Sequence, residues 1–293
     1  MKIARVFPHE RTAATPDDPL AFCNCEPGLF PPEVDEVHIS VAFTWTKGRA
    51  EELAAAWSTV APVKIGGPGW SNEPGAAFVP GLYLKKGYVI TSRGCPNHCW
   101  FCSVWHREPG LQELPITRGH IVQDDNLLAC SERHIINVFR MLGRQRSAAH
   151  LRGLEARLLK PWHIDYLCCI WPAALWFAYD EPDDYEPLRA AGRMLWEAGF
   201  TNERLYCYCL IGQPRDTYDG AENRLRRAWS AGFMPFPMLW RDDLGKCNQS
   251  FSPLQRWCRP AFTKKVCAQE NIECVQNQRT TPALCNAKST KDF

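Results

Sequence analysis

ALWFAYD (174–180), YEPLRAAGRMLWEAGF (185–200), RLYCYCLIG (204–212), DGAENRLRRAWSAGF (219–233) and MPFPMLW (234–240) follow one another with only short connections. The first, third and fifth stretches are short, largely apolar and rich in aromatic residues, and run into Gly or a polar turn, so they read as buried strands. The second and fourth carry apolar residues at helical spacing and read as amphipathic helices. Strand, helix, strand, helix, strand in regular order predicts right-handed βαβ crossovers and a parallel sheet.

The same alternation extends upstream. GYVITSR (87–93) and HIVQDD (120–125) read as strands, and SERHIINVFRMLGRQ (131–145) as a helix capped by Ser131. HLRGLEA (150–156) reads as another strand, followed by a helix over 161–168. Six strands result, in a sheet that is either doubly wound or curled into part of a (β/α) barrel. Polar residues gather where the strands stop, in SRGC, QDDN, LEAR, YDE, GQPRD and WRDD. The carboxyl ends of parallel strands form the chemical face of such folds, so one site is expected across that edge.

Ahead of this region, residues 1–80 read as a small α/β unit of their own. After an irregular Pro-rich lead come a strand in EVDEVHISVAFTW (33–45), a helix in RAEELAAAWSTV (49–60) and a strand in PVKIGG (62–67). The turn GGPGWSNEPG (66–75) is glycine-rich but lacks the GxGxxG spacing, so it reads first as a Gly/Pro turn and second as a ligand loop. Behind residue 245, a helix is expected within 250–266, and the polar, Pro-broken tail to 293 reads as loosely held.

Composition narrows the class. The chain has 293 residues, 45% hydrophobic and 23% charged, which suits a globular protein with a sizeable core. A net charge of +2 with acids and bases interleaved provides no basic footprint for a dedicated nucleic-acid binder, leaving nucleic acid only as a substrate. No apolar run approaches the length of a membrane span, and the N-terminus lacks a secretory pattern, so a cytoplasmic location is expected. Fifteen cysteines would suit a disulfide scaffold in a small secreted domain. In a chain of this size with no export signal, thiol or metal chemistry is the better expectation.

That chemistry concentrates in SRGCPNHCWFCSVW (92–105), where Cys95, Cys99 and Cys102 follow a strand at C-x3-C-x2-C spacing. Three thiolates on one loop can ligate three irons of a [4Fe–4S] cubane and leave the fourth iron open to a small molecule. Zinc is the alternative, with His98 or His106 as the fourth ligand, and a chance cluster in a Cys-rich chain is the third reading. Gly94 permits a tight turn into the loop. Among the other cysteines, Cys247, Cys258, Cys267, Cys274 and Cys285 are spaced too loosely for a typical cluster loop. Cys23, Cys25, Cys168, Cys169, Cys207 and Cys209 read as thiols buried as small hydrophobes.

Cys95-Pro-Asn-His-Cys99-Trp-Phe-Cys102, with Phe101 directly before the last cysteine, resembles the signature of the radical S-adenosylmethionine superfamily. The likeness spans roughly residues 82–245, and the whole chain resembles the small phage and prophage-type members. It implies a partial (β/α)6, TIM-like barrel and a cluster that reduces S-adenosylmethionine to a 5′-deoxyadenosyl radical. It also implies an electron donor of the flavodoxin or ferredoxin type.

The resemblance points to further S-adenosylmethionine contacts. Asp124-Asp125-Asn126 stands where many members have Gly-Gly-Glu. Glu155 and Arg157, read as strand neighbours on one face, would meet the ribose and the methionine carboxylate. Asp180 is a ribose or substrate candidate. Leu210-Ile211-Gly212 would back the adenine, and Trp240 with Arg241 would close the pocket. VKIGGP resembles part of a cobalamin-binding domain, but an Asp-x-His-x-x-Gly loop is missing, so bound cobalamin is not expected. The implied activity is hydrogen abstraction from an unidentified nucleotide, nucleic acid or peptide. The alternative is a non-catalytic module in which the same cysteines hold an Fe–S cluster or zinc.

Overall fold

A computed structural model describes residues 1–275. The first sheet contains β1 (Ile3–Phe7), β2 (Ala21–Cys23), β3 (Glu36–Ser40) and, after helix α1 (Lys47–Trp57), β4 (Val63–Gly66). All its pairings are parallel, in the order β2-β1-β3-β4. The expected βαβ unit is there, but the lead before it is not irregular. Its strand β1 is buried on both faces, and Arg5, only 8% exposed, sits in the middle, paired with Asp18. A charge inside IARVF hides the strand from a hydrophobicity reading, and its burial is tolerable because Asp18 pairs with it and Leu20 O accepts its Nε–H.

Next come β5 (Tyr88–Val89), β6 (Ser92–Arg93), α2 (Val104–Arg107), β7 (Gln112–Glu113) and β8 (Ile121–Gln123). They are followed by α3 (Glu132–Gly143), β9 (His150–Leu154), α4 (Pro161–Ile170), β10 (Ala174–Ala178), α5 (Tyr185–Glu197), β11 (Leu205–Ile211), α6 (Tyr218–Ser230) and β12 (Met234–Leu239). The second sheet is six-stranded and parallel in the order β12-β11-β10-β9-β8-β5. Space therefore follows sequence strand by strand, which excludes a doubly wound order, since that order reverses at a switch point. No pairing joins β5 to β12, so the sheet is open.

The stretch 87–93, expected as one strand, is broken. Thr91 N–H and the Thr91 and Ser92 hydroxyls all donate to the carboxylate of Asp124, at the end of β8. This clamp turns the chain out of the sheet, and β6 pairs antiparallel with β7 instead. The β6/β7 ribbon closes the cysteine loop at its base.

Two hydrophobic clusters result. One gathers Ala4, Val6, Val37, Ile39, Leu53 and Trp57 between the first sheet and α1. The other runs from Val89 to Cys274 and includes Phe251, Leu254 and Trp257 from a 3-10 segment (Gln249–Cys258), with Cys267 of α7 (Pro260–Gln269). Residues 250–275 are thus not loosely held. Trp257 is fully buried, and Cys274 donates to Trp229 O at 3.2 Å. Burying such side chains contributes about 1.5–3 kcal/mol each, ample to anchor the segment on β12 and α6. The rest of the tail, with Cys285, lies outside the described residues. Among those described, no helix is long and apolar enough to cross a membrane.

Candidate functional site

The cysteine loop leaves β6 through Gly94, whose φ is +81°, and a Cβ there would fall 2.0 Å from Gly110 O. Only glycine allows the two sides of the loop to touch at this point. Asp125 Oδ2 accepts Gly94 N–H at 2.8 Å, and Asn126 Nδ2 donates to Cys95 Sγ at 3.4 Å. Asn97 Nδ2 donates to Glu155 Oε2 at 2.7 Å, and Trp100 Nε1 to Glu181 Oε1 at 2.8 Å. Asp125 and Asn126 follow β8, Glu155 follows β9, and Glu181 lies beyond β10. The loop is therefore pinned in order across the carboxyl ends of three neighbouring strands.

Of these anchors, Asn97, Trp100 and Glu181 were not singled out from sequence. Glu181 lies within the YDE turn already marked by its place after a strand, and that signal would have found it.

The three sulfurs share this loop. Burial pushes the Cys99 thiol up to about 11, aided by the charges of Cys102, Cys95, Asp180 and Asp184. Burial also raises Cys102, with Cys95 and Asp125 adding to it and Val104 N–H and Arg107 opposing. Each therefore lies within electrostatic reach of its neighbours, and loading a metal would have to expel their protons. The donor set suits an iron–sulfur cluster: three soft ligands on one loop, with Asn126 Nδ2 and Asn97 N–H, each at 3.4 Å, directed at the Cys95 sulfur. The side chains are not drawn together as ligands, however. Among the described residues, no group of three or more His, Cys, Asp or Glu is disposed to hold a metal ion. His98 packs edge-on against Trp105, and His106 lies against the same ring.

The remaining predicted residues divide by position. Asp124 is 4% exposed and its carboxylate is filled by Thr91 and Ser92, with burial raising its pKa, so it holds the backbone in place and faces no open space. Asn126 is 3% exposed, and its Oδ1 is buried without a partner among the described residues. Phe101 packs edge-on against Trp100.

Arg157 is a correction. β9 ends at Leu154 and the chain enters a 3-10 turn at Ala156–Leu158, so Glu155 and Arg157 are not strand neighbours. Positions i and i+2 share a face only while a strand continues. The Arg157 guanidinium is half exposed, bonds Asp184 Oδ1 at 2.9 Å and stands 3.9 Å from Glu155.

Asp180 joins two strand ends by accepting Leu210 N–H at 2.7 Å. Burial lifts its carboxyl to about 6, against that hydrogen bond. Ile211 is fully buried in the core. Gly212 has φ +72°, and its Cβ direction points at Leu239 and Phe251, so it makes room for the C-terminal segment. Trp240 N–H bonds Ile211 O at 2.9 Å, and Arg241 lies over the Trp45 ring of the first unit, 5.8 Å from its centre. Among the described residues, no hydrogen bond ties Gly212 or Trp240 to the cysteine loop.

The other cysteines also depart from expectation. Cys207 and Cys209 are buried thiols, but Cys25 and Cys169 are exposed, Cys23 is half-buried and Cys168 is disulfide-bonded. Short strand edges and helix ends put alternate positions at the surface, which composition alone does not reveal. Cys247 and Cys258 are half-buried, whereas Cys267 and Cys274 are buried. No family model matches the chain, and neither a curated protein nor a solved structure matches it.

Proposed function

We propose that this protein is a radical S-adenosylmethionine enzyme in which Cys95, Cys99 and Cys102 hold a [4Fe–4S] cluster. The observation that carries the reading is the placement of the three-cysteine loop. Side chains following β8, β9 and β10 fix it over the carboxyl edge of a parallel sheet, where α/β enzymes do their chemistry. The sequential strand order supports the finer reading of the fold as an open, partial (β/α)6 barrel.

The cluster, when bound and reduced by a flavodoxin- or ferredoxin-type donor, supplies one electron for reductive cleavage of S-adenosylmethionine to a 5′-deoxyadenosyl radical. The chain's residues position and shield it. Asn126 and Asn97 N–H groups on the Cys95 sulfur stabilise its negative charge. Asp125 sets the loop's entry by holding Gly94, and Glu155 sets its middle by holding Asn97. Glu155 Oε1, 3.9 Å from Arg157 Nε, has room to accept a ribose hydroxyl as well. Asp180 ties β11 to the end of β10 by accepting Leu210 N–H, and burial lifts its carboxyl to about 6.

Anaerobic reconstitution tests the proposal. About four irons and four sulfides per chain are expected, with release of 5′-deoxyadenosine on addition of dithionite and S-adenosylmethionine. Cys99→Ala is expected to lower iron to background and abolish that release. A colourless protein that takes up zinc and no iron would overturn the reading in favour of a structural metal module.

A further inference from the structure

The carboxyl ends of both parallel sheets open onto one cavity of about 750 Å³. Phe7, Ser40 and Gly66, the last residues of β1, β3 and β4, line it from one side. Gln123, the last residue of β8, lines it from the other, with Arg93 and Asp125, which flank the entry to the cysteine loop. Ligands of parallel α/β sheets bind outside the carboxyl ends of the strands, and this volume lies within the usual range for a small-molecule site.

Its polar groups are of two kinds. Most already have partners: His38 bonds Tyr83 and Glu36, Lys64 bonds Glu36, and Arg107 bonds the buried Glu108. Four do not. The Arg93 guanidinium, the Gln123 amide, the Ser40 hydroxyl and the Glu73 carboxylate make no hydrogen bond or ion pair with any described residue.

Arg93 is the informative one. Gly75 lies directly against its guanidinium and adds no side chain to that side of it. Asp125 is close enough to feel its charge, but it is not an ion-pair partner and its Oδ2 is held by Gly94 N–H. A half-buried guanidinium without an acceptor is matched best by an incoming oxyanion, which it can grip with two parallel N–H bonds. The apolar wall complements this. Phe43, Val79 and Tyr83 line the cavity yet stay 38%, 50% and 38% exposed, leaving apolar surface for a ligand to cover.

We propose that this cavity binds a small organic anion with an apolar or aromatic body, its carboxylate or phosphate held by Arg93, and that this anion is the enzyme's substrate. The assignment as substrate rests on the radical reading above, because the cavity adjoins the cysteine loop at Arg93 and Asp125. The binding site itself does not depend on that reading.

A fluorescence titration of the intact chain with 8-anilinonaphthalene-1-sulfonate, an aromatic anion, tests it. One saturable site is expected, and Arg93→Met is expected to weaken it tenfold or more with the circular dichroism spectrum unchanged. The uncharged N-phenyl-1-naphthylamine is expected to bind wild type and Arg93→Met within about twofold of each other, separating lost charge from lost structure. Phe43→Ala, on the opposite wall, is expected to weaken both probes. Displacement of the sulfonate by benzoate or by phenyl phosphate then identifies the preferred oxyanion. Equal sulfonate affinity in Arg93→Met, equal losses of both probes there, or displacement by neither anion would overturn the site. Arg93-dependent binding in a protein that takes up no iron would leave the cavity standing and remove the radical reading. Release of 5′-deoxyadenosine without Arg93-dependent binding would do the reverse.

Discussion

The two sheets of this protein are both parallel and both direct their carboxyl ends at the same cavity, yet they are built differently. The first, β2-β1-β3-β4, places its first strand inside and ends β4 in a Gly-rich turn. The second runs in sequence order, and its strand ends carry carboxylates and amides that grip a long cysteine loop. Each has its own buried cluster, one centred on Trp57 and the other reaching Trp257. The difference divides the roles: strand ends of the six-stranded sheet anchor the cysteine loop, while the smaller sheet supplies a wall that faces them across the cavity.

The largest expected effect divides the two clusters. Trp57 and Trp257 are both fully buried, so Trp57→Ala and Trp257→Ala each should cost about 3–5 kcal/mol in denaturant unfolding. If the sheets are the separate units their clusters describe, Trp57→Ala leaves iron uptake intact and shifts only part of the unfolding transition. A single transition moved equally by both variants would break the comparison and make the protein one cooperative block.

Acid sharpens it further, because the group that responds most clearly lies on the larger sheet's side. His163 of α4 is 1% exposed, its Nδ1 accepts Lys160 N–H at 3.0 Å, and burial followed by the Lys160 charge lowers its pKa to about 4. An unfolded chain titrates near 6.5, so it takes up a proton that the native chain refuses between those values. The stability from keeping this ring neutral is complete above pH 6.5 and is lost as pH falls toward 4. Between pH 7.5 and 5 the loss is about 2 kcal/mol, the integral of that proton difference. His163→Gln should remove it, measured as a smaller difference between denaturation free energies at the two pH values; an unchanged difference would show that His163 is not its source.

The smallest test compares helix starts. Ser131 caps α3 by accepting His134 N–H at 3.2 Å, whereas Thr46 before α1 makes no such cap and bonds Phe43 O. Ser131→Ala should cost about 1 kcal/mol, and Thr46→Ala only a few tenths, by equilibrium unfolding. Equal costs would mean that capping does not distinguish the two regions.

Legibility in the sequence followed the range of the interaction. Helices α3, α5 and α6 were readable because an apolar stripe and a cap are local patterns. The strand at 3–7 was not, since Arg5 becomes tolerable there through Asp18 and Leu20 O, both well outside the strand. The single strand expected over 87–93 failed for a like reason: Asp124, far along the chain, supplies the hydrogen bonds that break it. Of the candidate site residues, Asp125, Asn126 and Glu155 came to the loop, whereas Arg157 left with the 3-10 turn that ends β9.

By itself, the order of residues determined the alternation of strand and helix, the three-cysteine loop and its glycine entry, because these depend on neighbours within a few positions. Tertiary structure alone decided the sequential strand order, the burial of residues 250–275 and the facing of two carboxyl edges across one cavity. Those depend on which distant side chains can share a core or satisfy one another's charge, and no local pattern encodes that.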